Sequence, residues 1–286
     1  RSLNSYTMPH VETGEAVATV SQANRGLIAR DMGDADANRQ ALGQLGVREI
    51  IEMCGRAARS FMGDTLPLGD ETQSPEQYVR QLSSTTGMPE ALCRANMAKI
   101  CLVLDEMEAV LGGLTRGLDL DILEVGWGKQ DGRKLSYVAE TNALGAVLPS
   151  NSPGVHSLWL PALPLRIPVV LKPGSGEPWT PFRIAQAFMA AGCPGEAFGF
   201  YPSDYSGATE ILLRCNRSML FGGASTVKPW QGDPRVQLHG PGWSKIILGE
   251  DTADRWEDYL DVMVESVSAN GGRSCINASG VWTVRH

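Results

Sequence analysis

Cys275 stands in the stretch Asn270-Gly-Gly-Arg-Ser-Cys275-Ile-Asn-Ala-Ser-Gly280. A cysteine thiolate is a strong nucleophile toward a carbonyl carbon. Two glycines upstream allow the backbone a sharp approach, and small neighbours leave room for a carbon to reach the sulfur. The same surroundings also suit a buried, inert thiol. What decides between the two is what else the chain can bring beside it. Asn151, in the rigid turn Pro149-Ser-Asn-Ser-Pro153, carries an amide donor that could hold an oxyanion. His239, in Leu238-His-Gly-Pro-Gly242, titrates near neutrality and could act as a base. Lys172 and the pair Gly222-Gly223 could face a ligand, or be a solvated strand end and a tight turn.

These groups need elements to position them. Residues 1 to about 34 show no sustained period and read as a loose arm with a short helix near Val17–Ala29. A helical pattern begins near Ala35 and runs to Met62, broken near Gly46. Ser74-Pro75 is a helix start, with proline at the first helical position. Gly87-Met-Pro89 restarts a helix that carries Leu92, Met97, Ile100, Leu104, Met107 and Leu111 on one face and stops at Gly112-Gly113. Segments 118–128 and 133–141 suit two strands of a hairpin, with Lys129-Gln-Asp-Gly132 between them.

From residue 144 the pattern changes. Short apolar runs at 144–148, 167–171, 198–201 and 218–221 alternate with helical stretches at 180–192 and 205–215. Strands alternating with helices predict a doubly wound α/β fold with a parallel sheet. Ligands of such sheets bind beyond the carboxyl ends of the strands, and Asn151, Lys172 and Gly222-Gly223 all sit at such ends. A last helix is expected from residue 251 or 252 to Asn270. Its stripe of Trp256, Tyr259, Leu260, Met263, Val264 and Val267 is expected to be core.

Composition sets the outer limits. The chain has 286 residues, 43% hydrophobic and 20% charged, as in ordinary globular proteins. A net charge of −7 argues against nucleic acid or an anionic membrane as a partner bound through charge. The six cysteines are scattered, with no CxxC pair and no Cys/His cluster at metal-ligand spacing. Free thiols in a reducing cytoplasm are the expectation. No apolar run is long enough to span a membrane, and no signal peptide is recognised. The first residue is Arg rather than Met, so a natural start upstream is expected.

Four segments together resemble the aldehyde dehydrogenase superfamily, in that family's order over roughly residues 144 to 279. Pro149-Ser-Asn151-Ser-Pro153 resembles its P-W-N-F-P turn. Pro161-Ala-Leu and Val169-Val-Leu-Lys172-Pro173 resemble P-A-L…V-V-L-K-P with identical spacing. Phe221-Gly-Gly223-Ala-Ser225-Thr resembles F-T-G-S-T, and Asn270-Gly-Gly272-Arg-Ser-Cys275 resembles N-x-G-Q-x-C. The resemblance implies a Rossmann-like dinucleotide domain with N-terminal helices and a projecting β-hairpin. It implies Cys275 as nucleophile and Asn151 as oxyanion donor. Lys172, Gly222, Gly223, Ser225, Pro149 and Ser150 would border NAD or NADP. The substrate would be a small aldehyde or an acyl-CoA, with CoA as one acyl acceptor, and a homo-oligomer would form through the hairpin. Residues 1–265 would form the dinucleotide domain, taking in helices over 35–112 and the hairpin over 118–141. Residues 266–286 would begin a catalytic domain mostly beyond this chain.

Three departures stand out. The family's E-L-G-G segment, whose glutamate activates the deacylating water, reads Leu238-His239-Gly-Pro-Gly242 here, leaving His239 as the substitute base. Its absence of glutamate leans toward a CoA-acylating enzyme. After Phe221-Gly-Gly, Pro229, Gly232 and Pro234 forbid the long helix that faces the pyrophosphate. The chain also ends eleven residues after Cys275. A dinucleotide-binding fragment without catalysis and a cysteine acyltransferase are the other classes left open.

Overall fold

The structure, a computed structural model, describes residues 3–284. The chain opens with an antiparallel hairpin, β1 (Asn4–Pro9) and β2 (Ala16–Gln22), where a loose arm was expected. Tyr6 and Met8, paired with Val20 and Ala18, turn inward against the main core, and Met8 is fully buried. The helix expected at 17–29 is displaced to α1 (Arg25–Asp31). It starts at Asn24, whose Oδ1 accepts from the Leu27 N–H at 2.8 Å.

Helices then follow, and the single helix expected from Pro89 to Leu111 is divided at Glu106, whose backbone departs from helical geometry. The helices are α2 (Ala35–Leu42), α3 (Val47–Gly63), α4 (Pro75–Thr86), α5 (Glu90–Asp105) and α6 (Met107–Leu114). A two-residue-turn hairpin, β3 (Leu66–Leu68) and β4 (Glu71–Gln73), joins α3 to α4. Ser74 caps α4 reciprocally: its Oγ accepts from Gln77 N, and the Ser74 N–H donates to Gln77 Oε1. The expected strand over 118–128 is mostly something else. Ile122–Val125 forms a single helical turn, α7, ended by Gly126 at φ 77°. The hairpin is accordingly shorter than 118–141, with β5 (Trp127–Gln130) paired to β6 (Arg133–Ser136) around Asp131-Gly132.

The central sheet has five parallel strands in the order β11-β10-β7-β8-β9. These are β7 (Leu144–Val147), β8 (Val169–Lys172), β9 (Phe198–Phe200), β10 (Arg217–Phe221) and β11 (Val236–His239). The crossovers carry α8 (Trp179–Ala190), α9 (Tyr205–Arg214) and the one-turn α10 (Ala224–Val227). Side chains alternate along each strand. Ala146, Val169, Leu171 and Phe221 join the core under α3, α5 and α8. Val147, Val170, Leu220 and Val236 turn to the other face, against α9 and, for Val170, α1. Both faces are covered, so the strands read as continuous apolar runs. This is the doubly wound fold that the alternation of strands and helices predicts.

β11 is a strand that the pattern did not announce. Past it the chain leaves the sheet. β12 (Ile246–Leu248) pairs in parallel with β13 (Val281–Thr283) in a separate two-stranded sheet. Between them lie a kinked 3-10 stretch, Ala253–Tyr259, and α11 (Leu260–Ser268). The stripe expected to be core is here largely on the surface. Met263 is buried, whereas Trp256, Leu260, Val264 and Val267 are exposed. Their periodicity marks an apolar face but carries no information on what covers it. Among the described residues no helix is long and apolar enough to cross a membrane.

Candidate active site

The strand order places the site. The chain runs outward from β7 through β8 to β9, then returns to lay β10 on the other side of β7. The crevice between the carboxyl ends of β7 and β10 is the switch point where doubly wound sheets bind ligands. A cleft of about 910 Å³ opens there. Pro149 and Ser150 after β7, Lys172 at the end of β8, and Gly222 and Ser225 after β10 all line it. Gly223 lies beside the cleft as the residue before α10, and a Cβ there would meet open space. Asn151 and Lys172 open on the same edge, because Val147 pairs with Lys172 in a parallel ladder.

The cleft is lined by polar and apolar groups together. Lys172 is half-buried, and burial pushes its ammonium pKa down while Asp204 opposes the shift. Asp204 caps α9, and the bond from the Ser206 hydroxyl at 2.7 Å, with those from Gly207 N at 3.1 Å and Ser206 N at 2.9 Å, holds its carboxyl below the usual range. Leu212, Leu220 and Trp230 supply apolar wall. The loop Gly174–Gly176 is tied to the β7 turn, since Gly176 N donates to Ser150 Oγ at 3.2 Å. Beyond Gly223, helix α10 lasts one turn before a 3-10 turn at Lys228–Trp230, as the two prolines require.

Cys275 reaches the same edge from the far end of the chain. Asn270, Gly271 and Gly272 are successively left-handed, at φ 55°, 69° and 70°, which turns the chain sharply after α11. The turn is cross-linked from several sides. Asn270 Nδ2 donates to Ser152 Oγ at 3.0 Å and to Ser274 Oγ at 3.1 Å. Ser274 N donates to Asn277 Oδ1 at 2.8 Å. Asn151 Nδ2 donates to the Arg273 carbonyl at 2.6 Å, which brings the predicted oxyanion donor to within two residues of the predicted nucleophile. Cys275 itself is exposed, whereas Cys54, Cys93, Cys193 and Cys215 are buried. Burial pushes the thiols of Cys54, Cys193 and Cys215 up to about 12 and that of Cys93 up to about 11. Cys101 is likewise raised to about 11, by burial and by Asp105.

His239 ends β11 directly opposite Phe221. Their rings stack at 4.2 Å between centroids, with an angle of 12°. His239 Nε2 is buried without a hydrogen-bond partner among the described residues, and burial lowers the imidazole pKa. Motif reasoning missed Gly242. Its backbone lies so close to the Cys275 carbonyl that any Cβ would overlap the oxygen. The signal was present in Pro241-Gly242, a glycine after a proline in the segment that replaces the family's E-L-G-G. No group of His, Cys, Asp and Glu among the described residues could hold a metal ion.

With this geometry in place, many solved structures prove similar in fold. An aldehyde dehydrogenase from Bartonella henselae matches at a TM-score of 0.78 and 16% identity, over 99% of this chain and 57% of that one. The gamma-glutamyl-gamma-aminobutyraldehyde dehydrogenase of Burkholderia cenocepacia J2315 matches at 0.78 and 17%, over 99% and 57%. An NAD+ complex of aldehyde dehydrogenase from Bacillus cereus matches at 0.74 and 16%, over 99% and 56%. The chain therefore has the aldehyde dehydrogenase fold. It spans a little over half the length of these structures. No protein-family model and no curated protein sequence matches it.

Proposed function

We propose that this chain carries the dinucleotide-binding part and the nucleophile of an NAD(P)-dependent aldehyde dehydrogenase. One observation carries the reading. The Asn151 amide is bonded to the Arg273 carbonyl, beside the exposed Cys275, at the switch point of a doubly wound sheet. In this reading the Cys275 sulfur bonds to the aldehyde carbon, and the carbonyl π electrons move onto oxygen. An amide NH2 has two hydrogens. One of Asn151's is engaged by Arg273, which leaves the second for the oxyanion, with the Cys275 N–H as partner donor.

The cleft suits the adenosine half of a dinucleotide: Lys172 for a ribose or its phosphate, Leu212 and Trp230 as apolar walls, Gly222 and Ser225 along the chain. The nicotinamide would supply the hydride acceptor. The one-turn α10 offers the pyrophosphate little helix dipole, so Gly222, Ser225 and Ser150 are the groups left to hold it. We assign residues 1–265 to the dinucleotide part and residues 266–286 to the start of a catalytic part. We also assign the β5–β6 hairpin a role in assembly.

The state of His239 favours one branch. A deacylating base needs hydrogen-bond reach to a water. The His239 Nε2 is buried against Phe221, and no carboxylate stands in residues 238–242. A thiol acceptor such as CoA brings its own nucleophile, so we favour the acylating reaction or its reverse, reduction of an acyl-CoA. The test is steady-state NAD(P)H formation from an aldehyde by the protein, with and without CoA. Turnover that requires CoA is expected. Equal turnover without it would return His239 to the role of base, and no turnover with either would leave a dinucleotide-binding module.

A further inference from the structure

The position that the family pattern fills with glutamine holds Arg273 here, and its side chain does something specific. Its guanidinium leaves the nucleophile turn and bonds the carboxyl end of α4. Nη1 donates to Thr86 O at 2.7 Å, and Nη2 to Gly87 O at 2.8 Å. Gly87 is left-handed at φ 65°, which exposes those carbonyls past the end of the helix. A cation at a helix carboxyl end is favoured by the dipole as well as by the bonds. One residue at the start of the same turn is held from α5. Asn96, 7% exposed, donates from Nδ2 to Asn270 Oδ1 at 2.6 Å, and that bond fixes the direction in which Asn270 Nδ2 meets Ser152 and Ser274. The backbone carbonyl of the same Arg273 takes the Asn151 amide. Arg273 thus links three separate parts of the chain: its own turn, the end of α4 and the turn after β7.

We propose that Arg273 and Asn96 are positioning residues, clamping the Cys275 turn to the N-terminal helices so that Asn151 and Cys275 keep one relative placement. The inference takes Cys275 as the nucleophile proposed above, but the clamp itself is tested without any turnover. The first readout is amide hydrogen exchange over residues 270–278 in Arg273→Ala and Asn96→Ala, with α3 as internal control. Loss of the clamp should speed exchange there on the order of tenfold or more while α3 is unchanged. Arg273→Lys, which keeps the charge and one donor, should restore part of the protection. Exchange over 270–278 that stays at the wild-type rate in both alanine variants would overturn the clamp. Exchange that rises equally in α3 would overturn it too, since the residues would then serve global stability. The second readout is aldehyde turnover. Misplacing Cys275 by about 1 Å should lower kcat on the order of 100-fold with KM little changed. A wild-type protein without turnover would sink the proposed function and leave the exchange result to decide the clamp.

Discussion

Reactivity at the residue scale follows from exposure. Five thiols are raised to about 11 or 12 by their surroundings, so they are almost wholly protonated at neutral pH. Cys275 is exposed on a tight turn. Iodoacetamide at pH 7 should therefore label Cys275 first, as peptide mass spectrometry would read directly. Labelling of Cys101 at the same rate would remove the argument for selectivity. Cys275→Ala should abolish aldehyde turnover while alanine at any of the other five does not. His239 makes the opposite case. Burial lowers its imidazole pKa, and the ring lies flat on Phe221 with Nε2 turned away from solvent. His239→Ala should leave the CoA-dependent steady state within about threefold; a burst of NAD(P)H followed by a slow phase would instead mark it as the water-activating base.

Elements explain why some of this was legible in the sequence and some was not. The helix start at Ser74-Pro75 and the strands β7 to β10 follow from local chemistry that the chain states openly. Replacing Ser74 by Ala should cost about 1 kcal/mol, read as a lower denaturant midpoint at unchanged slope. β11 was not legible because Gln237 and His239 interrupt Val236 and Leu238 on this edge strand, so it lacks the continuous apolar run that marks β7 and β8. The β1–β2 hairpin was missed because neither strand carries a strong apolar pattern: Met8 is its buried residue, and Ala16–Gln22 mixes small and polar residues with two valines. The stripe on α11 shows the limit of periodicity, since the pattern was correct and its surroundings were not. Contacts between distant segments are a further class that no local pattern reports. Gly242 against the Cys275 carbonyl is one. Gly242→Ala has no low-energy way to keep that contact. It should displace the nucleophile turn and reduce turnover on the order of 100-fold. The corresponding change at Gly223, where a Cβ meets open space, should be mild by comparison.

At the scale of the whole molecule, acid is the simplest probe of what joins the N-terminal segment to the α/β body. Glu210 on α9 is almost fully buried and accepts from Arg25 Nε of α1 at 2.6 Å and from Arg214. The bonds from Arg214 and Arg25 hold its carboxyl below the usual range. Asp233, paired with Arg235, is held down to about 2. A carboxyl with a depressed folded pKa stabilises above its unfolded value of roughly 4 and loses that contribution as pH falls through the folded value. Urea midpoints should accordingly be level from pH 7 to about 5 and drop steadily below that. Glu210→Gln should lower the plateau and flatten the drop; an unchanged profile would mean that the Arg25–Glu210–Arg214 cluster contributes nothing to stability.

The exposed apolar surface of the last forty-odd residues has an optical consequence. Of seven tryptophans, Trp159 and Trp179 are sealed in the core, while Trp127, Trp243, Trp256 and Trp282 lie at 45% exposure or more. Water relaxes around an excited indole and shifts its emission to the red. The folded chain should therefore already emit at long wavelength and lose much of its intensity to iodide. Any surface that came to rest on Trp243, Trp256 and Trp282 would shift the emission to the blue and protect those indoles from the quencher.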